Sequence, residues 1–393
     1  MVSAFRSAHA AAEIGTEWYL LAGRCLAQLG EGQASLAFFY VSEPLARMFG
    51  DIAAFLRQRT GIPHWVGAVG PGVCANGAEY VGKSAIAVLA CDLPDEAFRV
   101  LPAGTGSAGI DRAGLGAWLA ANAPPLGVVH VDPTGNALPE LVRGLAEATG
   151  GFLVGGLTSA TRGPAHIADV LASGCASGVL LGAGTAVATG LTQGCSPIGP
   201  VHTVTAMDGQ VVGRLDGRRA VDVFRADIGE LLARDPARAA GYIHAALPVA
   251  GSDMGDYLVR NLVGIDEKEG WLAVAAPLAA GDRMMFVRRD PVAALADLER
   301  MLTDLRRRVD GTPKAGLYHS CVARGPNQFG PDAVELGMIR DVLGDFPLVG
   351  FFGNGEISRD RLYTYTGVLT LFVRGREGRD PPVRRPRASR RAA

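Results

Sequence analysis

The chain has 393 residues, 48% of them hydrophobic, and a formal net charge of −1, which excludes a disordered or fibrous protein and gives length enough for two domains with sizeable cores. The charge is uneven: from Arg374 onward eight arginines stand against Glu377 and Asp380, a net +6 that leaves −7 for the rest. An acidic body without a basic, aromatic-studded face excludes a folded nucleic-acid module, and no stretch is long and apolar enough to predict a membrane span.

Residues 1–35 read as a helical leader, with helical spacing over 10–29 that stops at Gly30-Glu31-Gly32. A unit then begins that the chain writes three times. The first copy has a strand at 36–41, a helix over 45–59, a strand at 64–70 and a closing strand at 84–89. A Gly-rich connector at 102–109 and a short helix at 115–121 follow. The second copy runs through 127–131, 138–148, 152–157 and 178–181.

After it, Asp208-Gly209 predicts a hairpin between strands 201–207 and 210–215, because that dipeptide accepts the positive φ of a tight turn. A helix over 218–234 is stopped by Asp235-Pro236. Strands at 271–276 and 284–288 read as a pair around Gly281-Asp282. Asp290-Pro291 opens a helix to about 308, aspartate as cap and proline at the first turn. The third copy has 315–321, 333–343, 347–352 and 367–372, and the Pro/Arg-rich end from 374 to 393 reads as a disordered basic tail.

Each copy therefore reads strand, helix, strand, strand. The repeat is too long for most solenoids, so the fold class expected is α/β with mixed α+β character, in two related, tightly packed halves. The boundaries expected are 36–200 and 201–373. Six cysteines (25, 74, 91, 175, 195, 321) form no CxxC pair and sit at no zinc spacing, and seven scattered histidines give no metal cluster. Free thiols and the absence of a signal-peptide pattern predict a cytoplasmic protein.

The loops after the first two strands of each copy carry the polar residues, and ligands of α/β folds bind beyond strand ends. The loop 321–330 combines Cys321, Arg324, Asn327 and Gln328. Arg324 either grips a carboxylate or phosphate or pairs with a carboxylate of its own chain. The next loop, Gly353-Asn354-Gly355-Glu356, offers exposed amides and a carboxylate that either meets a ligand's amine, acts as a base, or staples to Arg324. In the second copy the matching loops span 132–136 and 158–163, and in the first 42–44 and 70–77. Neither a GxSxG elbow nor an HExxH occurs, and no GxGxxG directly joins a predicted strand to a predicted helix. Cys321 with His319 as thiol and base is a weak signal beside a core cysteine.

Gln193 to Pro200, Tyr257 to Asp266, the stretch from Gly281 ending in Arg289-Asp290, Cys321 to Gly325 and Gly350 to Ile357 together resemble the FIST family, over about 36–372. The resemblance implies a sensory protein that binds a small ligand, amino acids or related polar metabolites being the usual proposal, and no catalysis of its own. It maps onto Arg260, Asn261, Cys321, Arg324, Asn354, Gly355 and Glu356 as motif positions only. Some relatives resemble haem-based nitric oxide sensors, with His319 the loop-proximal candidate for iron here, and the family includes an adaptor for ubiquitin ligation. No output domain is attached, so a signalling role needs a separate partner. An enzyme using Cys321 or Glu356 is the other alternative.

Overall fold

The computed structural model describes residues 5–104, 112–123, 125–135, 137–159, 163–232, 242–249 and 256–375. Most of the connector expected at 102–109 and the arginine-rich tail beyond Gly375 lie outside the described residues. So does the Asp235-Pro236 break.

The fold is mixed α/β, with three mixed sheets and a small barrel. The leader opens with a strand, β1 (Phe5–Ala12), ahead of helix α1 (Trp18–Leu29), so the helical reading of residues 10–12 is corrected. Ala8 and Ala10 alternate inward while β1 pairs along the whole of β6, and that pairing overrides helix propensity.

The first unit is β2 (Leu36–Ser42), α2 (Phe49–Thr60), β3 (His64–Gly70) and β6 (Ser84–Cys91). The second is β8 (Leu126–Val131), α4 (Leu138–Thr149), β9 (Phe152–Leu157) and β12 (Ala176–Leu181). The third is β22 (Ala315–Cys321), α8 (Val334–Leu343), β23 (Leu348–Gly353) and β26 (Thr366–Phe372). In each, the first two strands are parallel and the last returns antiparallel to the first.

The four-element reading lacked one piece. Between its second and last strands each unit inserts a hairpin: β4 (Gly72–Ala75) with β5 (Ala78–Val81), β10 (His166–Ala168) with β11 (Val170–Ala172), and β24 (Glu356–Arg359) with β25 (Arg361–Tyr363). Each hairpin is given to another unit's sheet. The first pairs with β23, the second with β3 and the third with β9, a closed cycle that interlocks the units. The outer edges are β1, β7 (Phe98–Gly104, which takes up the first residues of the expected connector) and β13 (Val187–Gln193). The short helix α3 (Arg112–Asn122) lies between β7 and β8.

Gly67, Gly155 and Gly350 are the repeated Val-Gly steps, and the parallel pairing requires them. A Cβ there would stand 1.7, 1.8 and 1.7 Å from the carbonyl oxygens of Phe39, Val129 and Tyr318 on the neighbouring strand.

The three units meet where Tyr40, His130 and His319 occupy the same place in their first strands, paired across to Ala68, Gly156 and Phe351. The Tyr40 hydroxyl lies 3.1 Å from His319 Nε2 and 3.3 Å from His130 Nε2. Burial pushes His319 down to about 3 and His130 well below the usual histidine range, so both imidazoles are neutral.

The barrel follows β14 (Cys195–Pro197). It runs β15 (His202–Asp208), β16 (Val211–Leu215), β20 (Trp271–Val274), β19 (Tyr257–Asp266), β18 (Ile243–Pro248), β21 (Arg283–Arg289) and back to β15. The Asp208-Gly209 hairpin forms as expected, with Gly209 at φ +58. The strands read as a pair around Gly281-Asp282 do not pair with each other: β20 joins β16 and β19, whereas β21 joins β14, β15 and β18. The helix expected from 218 starts after a two-residue strand, β17 (Arg218–Arg219), as α5 (Ala220–Leu232), whose Val221 and Phe224 pack with Leu272 and Phe286. Helix α6 (Pro291–Arg308) begins as its cap predicts, Asp290 Oδ1 accepting from the amides of Val292 and Ala293. Among the described residues no helix is long and apolar enough to cross a membrane.

Candidate functional site

The loop after β22 turns through a four-residue helix, α7 (Pro326–Phe329), and places Arg324 entirely inside the protein. Its Nε and Nη2 donate to Glu335 Oε1 at 3.0 and 2.6 Å. Tyr318 donates its hydroxyl to the same oxygen at 2.8 Å, and the Gly325 amide donates to Oε2 at 3.2 Å. Of the two fates open to Arg324 in the sequence, pairing with its own chain therefore takes two of its donor nitrogens. Burial works against the charge, but Glu335 outweighs it and holds the guanidinium ionised. The third nitrogen, Nη1, has no hydrogen-bond partner among the described residues. Gly194 lies against it: a Cβ there would stand 3.1 Å from Nη1 and 2.8 Å from the Tyr365 carbonyl.

Glu356, at the start of β24, is also fully buried. Its Oε2 accepts from the Thr366 amide at 3.2 Å and the Thr366 hydroxyl at 2.6 Å, and its Oε1 has no partner among the described residues. Burial pushes the carboxyl up to about 8, against the pull of the Thr366 bonds and the Arg324 charge, so Glu356 is mostly protonated at neutral pH. Cys321 neighbours both groups. Burial and the Glu356 charge push its thiol up to about 12, which leaves essentially no thiolate at neutral pH.

The barrel meets this cluster through Tyr365. The Tyr365 ring stacks on His244 with centroids 4.6 Å apart, its hydroxyl donates to Asn261 Oδ1 at 2.9 Å, and the Arg289 guanidinium lies 5.9 Å over the ring while bonding the Ala323 carbonyl. Tyr365 holds φ +61, a left-handed conformation that costs a non-glycine residue about 1 kcal/mol or more. His244 is buried, and neither of its ring nitrogens has a partner among the described residues.

The structure thus gathers Arg324, Cys321 and Glu356, with Asn261 at the rim. It does not gather the others. Arg260 turns away, bonding the carbonyls of Val259 and Leu362 at 2.7 and 3.1 Å. Asn327 is exposed and donates to the Val322 carbonyl at 2.8 Å. Asn354 is exposed, and the Gly355 carbonyl is taken by the Leu157 amide at 2.8 Å, so this backbone stitches the exchanged hairpin to β9. His319 lies in the central Tyr40 cluster, 1% exposed, and not at the loop.

Sequence reasoning missed Glu335, Tyr365, His244 and Gly194. Glu335 reads in sequence as an acidic residue favoured in a helix's first turn, and nothing local says that it is buried. The Gln193-Gly194-Cys195 step was visible as a motif without its reason.

Two family models cover most of the chain: the FIST N domain matches residues 35–218 and the FIST C domain residues 220–359. An uncharacterized protein of Mycobacterium tuberculosis (strain ATCC 25618 / H37Rv) is 30% identical over 367 residues, 88% of this chain and 93% of its own length. An uncharacterized protein of Mycobacterium bovis (strain ATCC BAA-935 / AF2122/97) is 29% identical over 369 residues, 90% of this chain and 94% of its own.

Proposed function

The chain belongs to the FIST family, and from that premise we propose that it senses a small polar ligand, an amino acid or related metabolite, bound where the third unit meets the barrel. FIST domains are sensory and signalling domains of a family thought to bind small ligands. One observation carries the choice of place. Arg324 Nη1 and Glu356 Oε1 are both in fully buried side chains and both lack a partner among the described residues, and Gly194 keeps side-chain atoms away from the first. Buried polar groups are almost always satisfied, so two such atoms within electrostatic range of each other favour a bound polar molecule.

The chemistry expected differs from a two-point fork. Glu335 occupies Nε and Nη2, so Arg324 offers a single N–H edge to one oxygen of a carboxylate. Glu356 receives an amine only by giving up its proton. An ammonium-bearing ligand therefore binds about tenfold more weakly for each pH unit below about 8. Tyr365 links the cluster to His244, Asn261 and Arg289 of the barrel, which gives occupancy a route to a separate partner protein.

A thermal-shift panel across amino acids and analogues lacking the amine or the carboxylate tests the reading. A stabilising hit is expected to lose affinity in Glu356→Gln and in Arg324→Lys. Unchanged affinity in both folded variants defeats it.

A further inference from the structure

The register of the three sheets puts corresponding residues at one strand end of each unit. The last residue of the first strand, or the one just after it, is Ser42, Asp132 or Cys321; facing it on the closing strand is Ala85, Cys175 or Thr366; and the hairpin contributes Val73, His166 or Glu356. The first unit fills this place with Val73 and Ala85. The third holds the Glu356 cluster. The second holds an imidazole and a thiol: His166 Nε2 lies 3.8 Å from Cys175 Sγ, and His166 Nδ1 lies 2.6 Å from Ser177 Oγ.

We propose that Cys175 and His166 form a thiol-based reactive site, separate from the Glu356 cluster, at which Cys175 adds to a soft, uncharged electrophile of the conjugated-carbonyl class and His166 carries the proton. In the step, the sulfur forms a bond to the β-carbon and the thiol proton passes to His166 Nε2. The alkene π pair moves onto the α-carbon, which then takes the proton from His166. The imidazole ends neutral, and no further reactant is needed. Ser177 is a positioning residue: a bond from Nδ1–H to its hydroxyl leaves Nε2 as the acceptor that faces the sulfur.

Three further features fit. The residue before Cys175 is the exposed Gly174, at φ +69, where a Cβ would meet nothing within 4 Å; the equivalent residue of the third unit is Tyr365, whose ring stacks on His244. Ser159, two residues past the end of β9, is buried with a hydroxyl that has no partner among the described residues, and in the proposed step it is the donor to the carbonyl oxygen of the electrophile. Asp132 is held ionised: burial opposes its charge, but bonds from Thr134 and the Gly174 amide keep it below the usual carboxylate range. That fixed negative charge disfavours anionic electrophiles. Burial takes His166 down to about 4 and raises the Cys175 thiol, so the resting pair is uncharged and the proton moves as the sulfur attacks.

N-ethylmaleimide on the full-length native protein at neutral pH, followed by peptide mapping, tests this. Cys175 is expected to be labelled first, at least about tenfold faster than Cys195 or Cys321, and Cys175→Ser to abolish the fast adduct. His166→Gln is expected to slow labelling of Cys175 by about 10²-fold. Ser177→Ala slows it less, and Ser177→Thr restores it. The proposal is overturned if Cys175 is not the fast site, or if folded H166Q reacts at the wild-type rate. Should H166Q fail to fold, a wild-type rate in S177A overturns it.

Discussion

Glu356→Gln separates the charge of the buried carboxyl from its shape. In the fold the group titrates near 8, against an ordinary value of 4.5. Between those values the folded protein keeps a proton that the unfolded chain has released, so unfolding releases a proton and stability falls as pH rises. Each pH unit is worth about 1.4 kcal/mol, and the whole window roughly 5 kcal/mol at most. The contribution is fully present below 4.5 and gone above 8. Glutamine keeps the acceptor for the Thr366 amide and hydroxyl and cannot ionise. Urea denaturation followed by tryptophan fluorescence, at half-unit steps from pH 5 to 9, should therefore show the two proteins nearly equal at pH 5. Wild type should then lose ground steadily to a plateau above pH 8, with little change in m. Glu79, also pushed up to about 8 by burial and by Glu335, titrates in both proteins and drops out of the difference. Parallel curves across the window would refute the claim that Glu356 is protonated in the fold.

Glu335→Ala should cost about 3–5 kcal/mol, because it strands the Arg324 guanidinium in a fully buried site; a loss below about 1 kcal/mol in urea denaturation would contradict the pairing. Gly350→Ala should cost about 3 kcal/mol or more through the Tyr318 carbonyl, while Gly337→Ala on α8, where a Cβ meets nothing, should gain up to about 1 kcal/mol. Comparing the two melting temperatures checks the steric argument against simple glycine entropy. Tyr40→Phe leaves the facing nitrogens of two buried histidines without their bond and should cost roughly 1–3 kcal/mol, read from the same urea midpoints.

The repeat was legible because strand and helix periods survive triplication, and the Val-Gly step marked each second strand. What could not be read was the exchange of hairpins. β4, β10 and β24 are three or four residues long, too short for a periodicity, and their partners lie in other units, set by register and not by neighbouring residues. The site was legible in part for the same reason. Arg324 and Glu356 stand out on glycine-rich loops, but Glu335 is reached only by folding α8 back over the loop, and His244 and Asn261 only by docking the barrel. Arg260 and Asn261 are adjacent in a motif, yet only Asn261 bonds into the Tyr365 cluster, while Arg260 goes to Leu362.

The cyclic exchange also explains which features of the units are shared and which have diverged. Every unit must accept a foreign hairpin beside its second strand and hold its first strand close, so the glycine facing Phe39, Val129 or Tyr318 is fixed in all three. The strand ends carry no such constraint. They differ between units: in the second the Gly174 amide donates to the Asp132 carboxylate at 2.7 Å, whereas in the third the Tyr365 amide only offsets part of the upward push that burial gives the Cys321 thiol. At that left-handed position glycine is the unstrained choice, and the second unit has it. The third unit keeps a tyrosine there at a conformational cost, and the ring is what joins the buried Glu356 cluster to the barrel. Replacing Tyr365 with glycine would therefore relieve the backbone while cutting that connection, so stability and ligand response should move independently in this variant.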